Sequence, residues 1–416
     1  MKIVDGVQLH LIKSNKYKTN HITFRFSGEY SKKTISRRVL IAQILETANA
    51  DYPTAQLFRE KLSNLYGASL STSVSTKGLV HMIDIDITFL RDKYTLSGEK
   101  ILDEIILFLK SMLFAPLLSV AQYQPKFFDV EKTNLINYLD ADKEDSFYYS
   151  SLALKKYFYY NESLKVSKYS KSDLVQLENA FTVYQEFQKI LREDRIDIFV
   201  LGEFDEYRTL QLFHQFPFEP RKKDLHFFYQ QEVSNIVNQI IEKKDINQSI
   251  IQLAYHHPII YGSKEHFSLI VLNGILGSFS HSKLFTNVRE KEGLAYSIGS
   301  RFDIYTGLLD IYAGIDIKNR SKMVQLISKE INDLRMGRFS ADILKKTKQM
   351  LITNALLAED QPKVLIDLAY NESYLPHSNT LSTWIDKIDN ICKIDVMRVA
   401  NLLKLQVVYS LESEDE

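Results

Sequence analysis

The strongest constraint on this chain is that it repeats itself: the order of elements in its first half recurs about 230 residues further on. Each half opens on a strand. Ile22, Phe24 and Phe26 alternate with polar or charged neighbours in one, and Ile251, Leu253 and Tyr255 do so in the other, the period of a half-buried strand. A long apolar helix is expected next, over 36–50 and again over 264–277. A charged helix follows in each half, containing Leu57-Phe58-Arg59-Glu60-Lys61 first and Leu284 to Lys291 later. Hairpin signals succeed these, Lys77-Gly78-Leu79 and Thr306-Gly307-Leu308, each leading into an alternating segment. Both halves then run through long helical stretches and close on a helix and a short strand, 196–201 and 406–411.

Six matches in one order point to internal duplication, and 416 residues suit two cores of roughly 100–200 residues better than one. The expected fold class is therefore α+β: two homologous domains, each a largely antiparallel sheet with helices packed on one face. We place the domains at 1–215 and 247–416, with 216–246 as the connecting region. Pro217, Pro220 and the basic run Arg221-Lys222-Lys223 fit an exposed connection there. The acidic end, 412–416, reads as a frayed tail.

Composition narrows the function. Lysine plus arginine equals aspartate plus glutamate, 52 against 52, which argues against broad attraction to nucleic acid or anionic membrane. The amino terminus alternates polar and apolar residues and lacks the apolar core of a secretory signal. The most apolar window, 101–118, is broken by Asp103, Glu104 and Lys110 and reads as an amphipathic core helix rather than a membrane span. One cysteine, Cys392, excludes an intramolecular disulfide and a cysteine-rich metal site, and the cytoplasm is the expected compartment.

One stretch is built like the active-site helix of a zinc peptidase. In the order H-x-x-E-H two histidines one turn apart hold the metal and the glutamate takes a proton from bound water. Here that stretch reads Gln43-Ile44-Leu45-Glu46-Thr47. Glutamine and threonine are neutral oxygen donors that do not compete with water for zinc, so Glu46 has no metal-bound water to activate. Taken alone the segment is a core helix, with Leu40, Ile41, Ile44 and Leu45 as its stripe. His256 and His257 are neighbours near a strand end, point to opposite faces and are poorly placed to chelate one metal. Gly274, Gly277, Ser278, Ser280 and Ser282 mark a helix boundary rather than a phosphate loop.

The run Leu272-Asn273-Gly274-Ile275-Leu276-Gly277, then Ser282 to Phe285, then Val288-Arg289-Glu290-Lys291-Glu292-Gly293-Leu294-Ala295-Tyr296-Ser297 resembles the second domain of the insulinase and pitrilysin superfamily of zinc metallopeptidases. The resemblance is to its short two-domain members, similar to mitochondrial processing peptidase. It extends through Leu65-Tyr66-Gly67-Ala68, Glu131-Lys132 and 198–204 to cover the whole chain. It implies two homologous domains in a clamshell, and it implies that Arg289 and Tyr296, seven residues apart, reach the substrate at a zinc site. The third metal ligand of the family, a glutamate about seven residues beyond the Glu131 position, falls near Tyr138, where no acid occurs. From pattern alone, Arg289 is a solvated helix residue ahead of the αL terminator Gly293, and Tyr296 shares a strand face with Leu294 and Ile298.

The resemblance implies a non-catalytic subunit that binds a peptide or unfolded polypeptide and lends Arg289 and Tyr296 to a homologous partner. Zinc is expected on that partner, with no cofactor in this chain. The alternative is a peptide-binding scaffold without a peptidase task. A bacterial branch with degenerate zinc helices is associated with peptide maturation or with modification of elongation factor P.

Overall fold

The computed structural model describes residues 1–96, 98–377 and 379–413. The strands of the first half are β1 (Lys2–Val4), β2 (Val7–Lys13), β3 (Thr19–Glu29), β4 (Ser69–Lys77), β5 (Val80–Leu90), a small hairpin β6 (Leu118–Ser119) and β7 (Gln122–Tyr123), and β8 (Arg195–Gly202). Its helices are α1 (Ile35–Leu45), α2 (Ala55–Asn64), α3 (Ile101–Phe114), α4 (Pro125–Asp142), α5 (Ser146–Phe158), α6 (Ser172–Gln176), α7 (Ala180–Glu193) and α8 (Glu206–Phe213). The second half has β9 (Asn238–Lys244), β10 (Ser249–His256), β11 (Ala295–Asp303), β12 (Leu308–Ile315) and β13 (Lys404–Ser413). Its α-helices are α9 (Lys264–Asn273), α10 (Arg320–Arg335), α11 (Ala341–Ala358), α12 (Pro362–Tyr374), α13 (Leu381–Asp389) and α14 (Lys393–Leu402).

The duplication is visible strand by strand. One sheet runs β1-β2-β8-β3-β5-β4 and the other β11-β12-β10-β13-β9. Read from the opposite edge, β4-β5-β3-β8-β2 matches β11-β12-β10-β13-β9. The sense of pairing matches too, antiparallel throughout except β2 with β8 and β13 with β9. Both hairpins turn on a left-handed glycine, Gly78 at φ 56° and Gly307 at φ 72°, a conformation that costs a side chain dearly. Helix starts follow local chemistry: Ser263 caps α9, Ser340 caps α11, and Asn179 with Thr182 forms a reciprocal cap on α7.

The chain packs as two compact units, and neither is one contiguous stretch. Unit 1 comprises Met1–Ala141, Val166–Phe227 and Leu365–Tyr370; unit 2 comprises Asp142–Lys165, Phe228–Val364 and the chain from Asn371 onward. Each unit thus takes in a segment from the opposite half of the sequence. In unit 1, the β3 residues Ile22, Phe24 and Phe26 are buried in the helix-covered core. The alternate β3 side chains are polar and meet the 365–370 segment: Arg25 donates to Asp84 at 2.8 and 2.7 Å and to Asp367 at 2.7 Å, and Ser27 pairs with Tyr370 at 2.9 Å. In unit 2, Ile251, Leu253 and Tyr255 of β10 enter a core with α9, α10 and α14. The other face of that sheet carries Gln252, whose amide Nε2 donates to Ser150 of α5 at 2.7 Å. Period-two alternation therefore gives each sheet an apolar face under most of the helices and a polar face under one exchanged segment.

Three expectations change in detail. The first helix stops at Leu45, short of residue 50, and Arg221 in the connecting region is buried, its guanidinium held by the carbonyls of Glu219 and Asp194. Glu412 and Ser413 of the acidic end belong to β13, and Glu412 is buried against Arg320; the rest of that end lies outside the described residues. Among the described residues no helix is long and apolar enough to cross a membrane.

Candidate functional site

α1 is anchored by its apolar stripe, with Leu40, Ile41, Ile44 and Leu45 all buried; each such side chain contributes about 1.5–3 kcal/mol. The helix frays at the motif itself. Thr47 turns its hydroxyl back onto the Gln43 carbonyl at 3.0 Å, and its N–H bonds Ile44 at 3.2 Å, an i to i+3 contact that closes the last turn.

Every polar side chain of the motif has a partner in the protein. Gln43 Nε2 donates to the Glu131 carboxylate at 2.7 Å and to the Glu131 carbonyl at 2.9 Å. Glu131 lies on α4, only 6% exposed, and among the described residues Gln43 is the side chain that donates to it. Glu46 Oε2 accepts from the backbone N–H of Thr72 at 2.8 Å and from its hydroxyl at 3.0 Å. Thr72 sits on β4, an edge strand of the unit 1 sheet, so the carboxylate caps an edge amide. Tyr138, two helical turns after Glu131 on α4, is 54% exposed.

These residues do not fit zinc. Gln43 aims an N–H at Glu131 where an imidazole would offer a lone pair, Thr47 is spent on the helix, and Glu46 is held by the sheet. No set of three or more histidine, cysteine, aspartate or glutamate residues among those described is arranged to hold a metal ion. His256 ends β10 and His257 follows it; both are buried, and burial lowers the pKa of each, His257 to about 3.

The second region is built differently. α9 continues into one π-helical turn, Gly274–Ser278, and Leu284–Lys291 forms an eight-residue π-helix. Gly277 is required by packing, because a Cβ there would lie 2.6 Å from the Ser300 amide of β11. Arg289, in the last turn of the longer π-helix, lies exposed with its guanidinium 4.7 Å over the Phe285 ring. Gly293 then reverses the chain at φ 64°, and the Leu294 N–H closes the helix end on the Val288 carbonyl at 3.3 Å.

Tyr296 departs from strict alternation, and the register shows why. Ala295 pairs with Ile315 and Ser297 with Gly314, so Tyr296 is the extra residue of a β-bulge. Ala295 and Ile298 enter the core while Tyr296 is pushed out to 81% exposure, which corrects its placement as a core neighbour of Ile298. Among the described residues neither Arg289 nor Tyr296 makes a hydrogen bond or an ion pair. The region presents two unspent donors, a guanidinium and a phenol, on backbone irregularities of the kind that recur at functional sites.

Sequence reasoning missed three participants. Glu131 served only to align α4, Thr72 was an unremarked strand residue, and Phe285 was part of a helix pattern. A buried acid opposite a lost metal ligand needs a replacement donor, which is the signal that would have found Glu131.

These features have counterparts in known proteins. A family model described as "Peptidase M16 inactive domain" matches residues 182–351. The chain is 26% identical over 412 residues to the "probable inactive metalloprotease YmfF" of Bacillus subtilis, covering 99% of this chain and 96% of that protein. The "uncharacterized zinc protease YmxG" of the same organism is 27% identical over 155 residues, 36% of this chain and 38% of that one. The crystal structure of a conserved protein from Enterococcus faecalis V583, 37% identical, matches with a TM-score of 0.97 over 100% of this chain and 98% of that chain. The comparisons bear out the resemblance to the M16 metallopeptidases, the insulinase and pitrilysin superfamily, with the family model matching over residues 182–351. Within that family it is a non-catalytic homologue.

Proposed function

We propose that this protein is the non-catalytic subunit of a two-chain zinc-peptidase-like complex, in which it binds a peptide or unfolded polypeptide and supplies Arg289 and Tyr296 to a homologous partner that keeps the zinc helix. The observation that carries this reading is the contrast in use of side chains. Gln43, Glu46 and Thr47 are hydrogen-bonded into the protein, whereas Arg289 and Tyr296 are exposed and unspent. Positioning and polarising a scissile carbonyl is an electrostatic task that needs donors and no metal from this chain. The occurrence in one bacterium of relatives named as an inactive metalloprotease and as a zinc protease supports a division of labour.

The test is reconstitution with a homologue that carries an intact H-x-x-E-H helix. Arg289→Ala is expected to lower turnover of the complex roughly 100-fold, the scale for removing one preorganised donor at a developing oxyanion. Wild-type turnover by that complex would overturn the role and leave the scaffold reading.

A further inference from the structure

The polar face of the unit 2 sheet lines a half-open cavity of about 330 Å³, within the size range of small-ligand sites. Its floor spans three strands in register: Gln252 of β10 lies opposite Tyr312 of β12, and Tyr312 lies opposite Gly299 of β11. A Cβ at Gly299 would stand 2.6 Å from the Tyr312 hydroxyl, so the missing side chain leaves room for the phenol over β11. Phe147 and Tyr148 of α5 form the opposite wall, with Phe147 edge-on to Tyr312 at 5.9 Å.

Two polar groups in this cavity have hydrogen-bonding capacity left for a ligand, one buried and one open to water. Gln252 is fully buried, and its Nε2 donates to Ser150 Oγ at 2.7 Å and to the Phe147 carbonyl at 3.3 Å, which fixes the amide's orientation. Its Oε1, buried as well, accepts no hydrogen bond. A buried acceptor in that state is costly. Arg301 spends Nε on Asp310 and Nη2 on Ser151, each at 2.7 Å; its side chain is 54% exposed, and Nη1, without a hydrogen bond among the described residues, is left to water or to a ligand. Asp310 pairs with the guanidinium at 2.7 Å and Asp145 adds a second carboxylate to the lining, so the site has no net attraction for an anion.

A buried unfilled acceptor and a solvent-facing free donor, between aromatic walls, are the complement of one amide group. We infer that this cavity binds an amide unit of a polypeptide, whose N–H donates to Gln252 Oε1 and whose carbonyl accepts from Arg301 Nη1. This deepens the peptide-handling role proposed above and rests on it: Ser297, which lines the cavity, directly follows Tyr296 on β11.

The experiment uses the full chain alone, with N-acetylglycine methylamide as probe and with acetate and methylammonium as charged controls, followed by ligand-observed NMR titration. Saturable binding of the diamide, with neither ion competing, is expected. Ser297→Trp, which fills the cavity from its half-buried rim, should weaken that binding at least tenfold, and Gln252→Met should do the same by removing the acceptor. The Trp variant keeps the test open if the buried Gln252 change disturbs folding. Diamide binding that survives both substitutions, or wild-type binding no tighter than that of Ser297→Trp, would overturn the inference and leave a hydrated pocket. Because no partner or turnover enters the measurement, its failure is distinguishable from failure of the Arg289 test.

Discussion

The Gln43 to Thr47 segment and the Arg289 to Tyr296 segment use their polar side chains in opposite ways. In the first, the backbone is regular up to Leu45 and each polar side chain has been given a structural partner: Glu131, Thr72 or the helix itself. In the second, the backbone is irregular, with a π-helix and a β-bulge, and the polar side chains face solvent. A bulge leaves a residue out of the ladder, and π-helical turns are rare and recur at functional sites. The difference teaches where to look for retained function. On the reading proposed above, the first segment has closed on itself and the second keeps its donors free.

The largest expected effect sets the conditions under which the two regions can be compared at all. Unit 1 holds His21 and His81, and unit 2 holds His257 and His266, all with pKa values lowered chiefly by burial, to about 4, 3, 3 and 4 respectively. Each histidine is neutral when folded and takes up a proton near the ordinary value of about 6.5 when unfolded. The unfolded chain therefore binds more protons in this window, and stability falls as pH drops from 6.5 towards 4. Urea midpoints measured between pH 7.5 and 4 should decline steadily below 6.5, with both units softening in the same window. A flat profile over that range would show that these histidines are not buried neutral. Next in size is turnover: in the reconstituted complex at pH 7.5, Arg289→Ala should cost roughly 100-fold while Gln43→Met costs less than about twofold. Equal losses would erase the comparison.

Stability should rank the same two substitutions in the opposite order. Gln43→Met leaves the buried Glu131 carboxylate without its side-chain donor, which costs about 1–3 kcal/mol. Arg289→Ala removes an exposed side chain whose contact is with the Phe285 ring, and should change stability by no more than about 0.5 kcal/mol. Denaturant unfolding of the two variants at one pH checks the reversal.

Much of this was legible in the sequence because it depends on local patterns. The alternations at Ile22 to Phe26 and Ile251 to Tyr255, the turn glycines and the apolar stripes specify strands, hairpins and helices, and their repetition specified two like sheets. The loss of both imidazoles was legible from residue type alone. What stayed hidden depends on long-range pairing. Gln43 and Glu131 are 88 residues apart, and nothing local says that one satisfies the other. The docking of α5 on the second sheet and of Leu365–Tyr370 on the first follows from buried polar faces that alternation alone reads as solvent-facing. The bulge at Tyr296 was hidden for the same reason: a one-residue register slip is set by the partner strand, and β12 lies beyond the motif.

The smallest expected effect bears on Glu46, the one motif residue that still has the identity of a catalytic base. Its carboxylate accepts two hydrogen bonds from Thr72 at an exposed sheet edge, where solvent competes for both partners. Glu46→Gln keeps one acceptor oxygen and removes the charge, so it should lower stability by about 0.5–1.5 kcal/mol at most. The same change in a general base removes proton transfer, which is worth roughly 100- to 10,000-fold in rate. The two roles are thus separated by orders of magnitude in one variant. Turnover of the reconstituted complex should be unchanged by Glu46→Gln, with only a slight drop in the urea midpoint. A collapse of turnover would mean that Glu46 leaves Thr72 when substrate binds, and the first region would then have to be counted, with Arg289 and Tyr296, among the parts that still work.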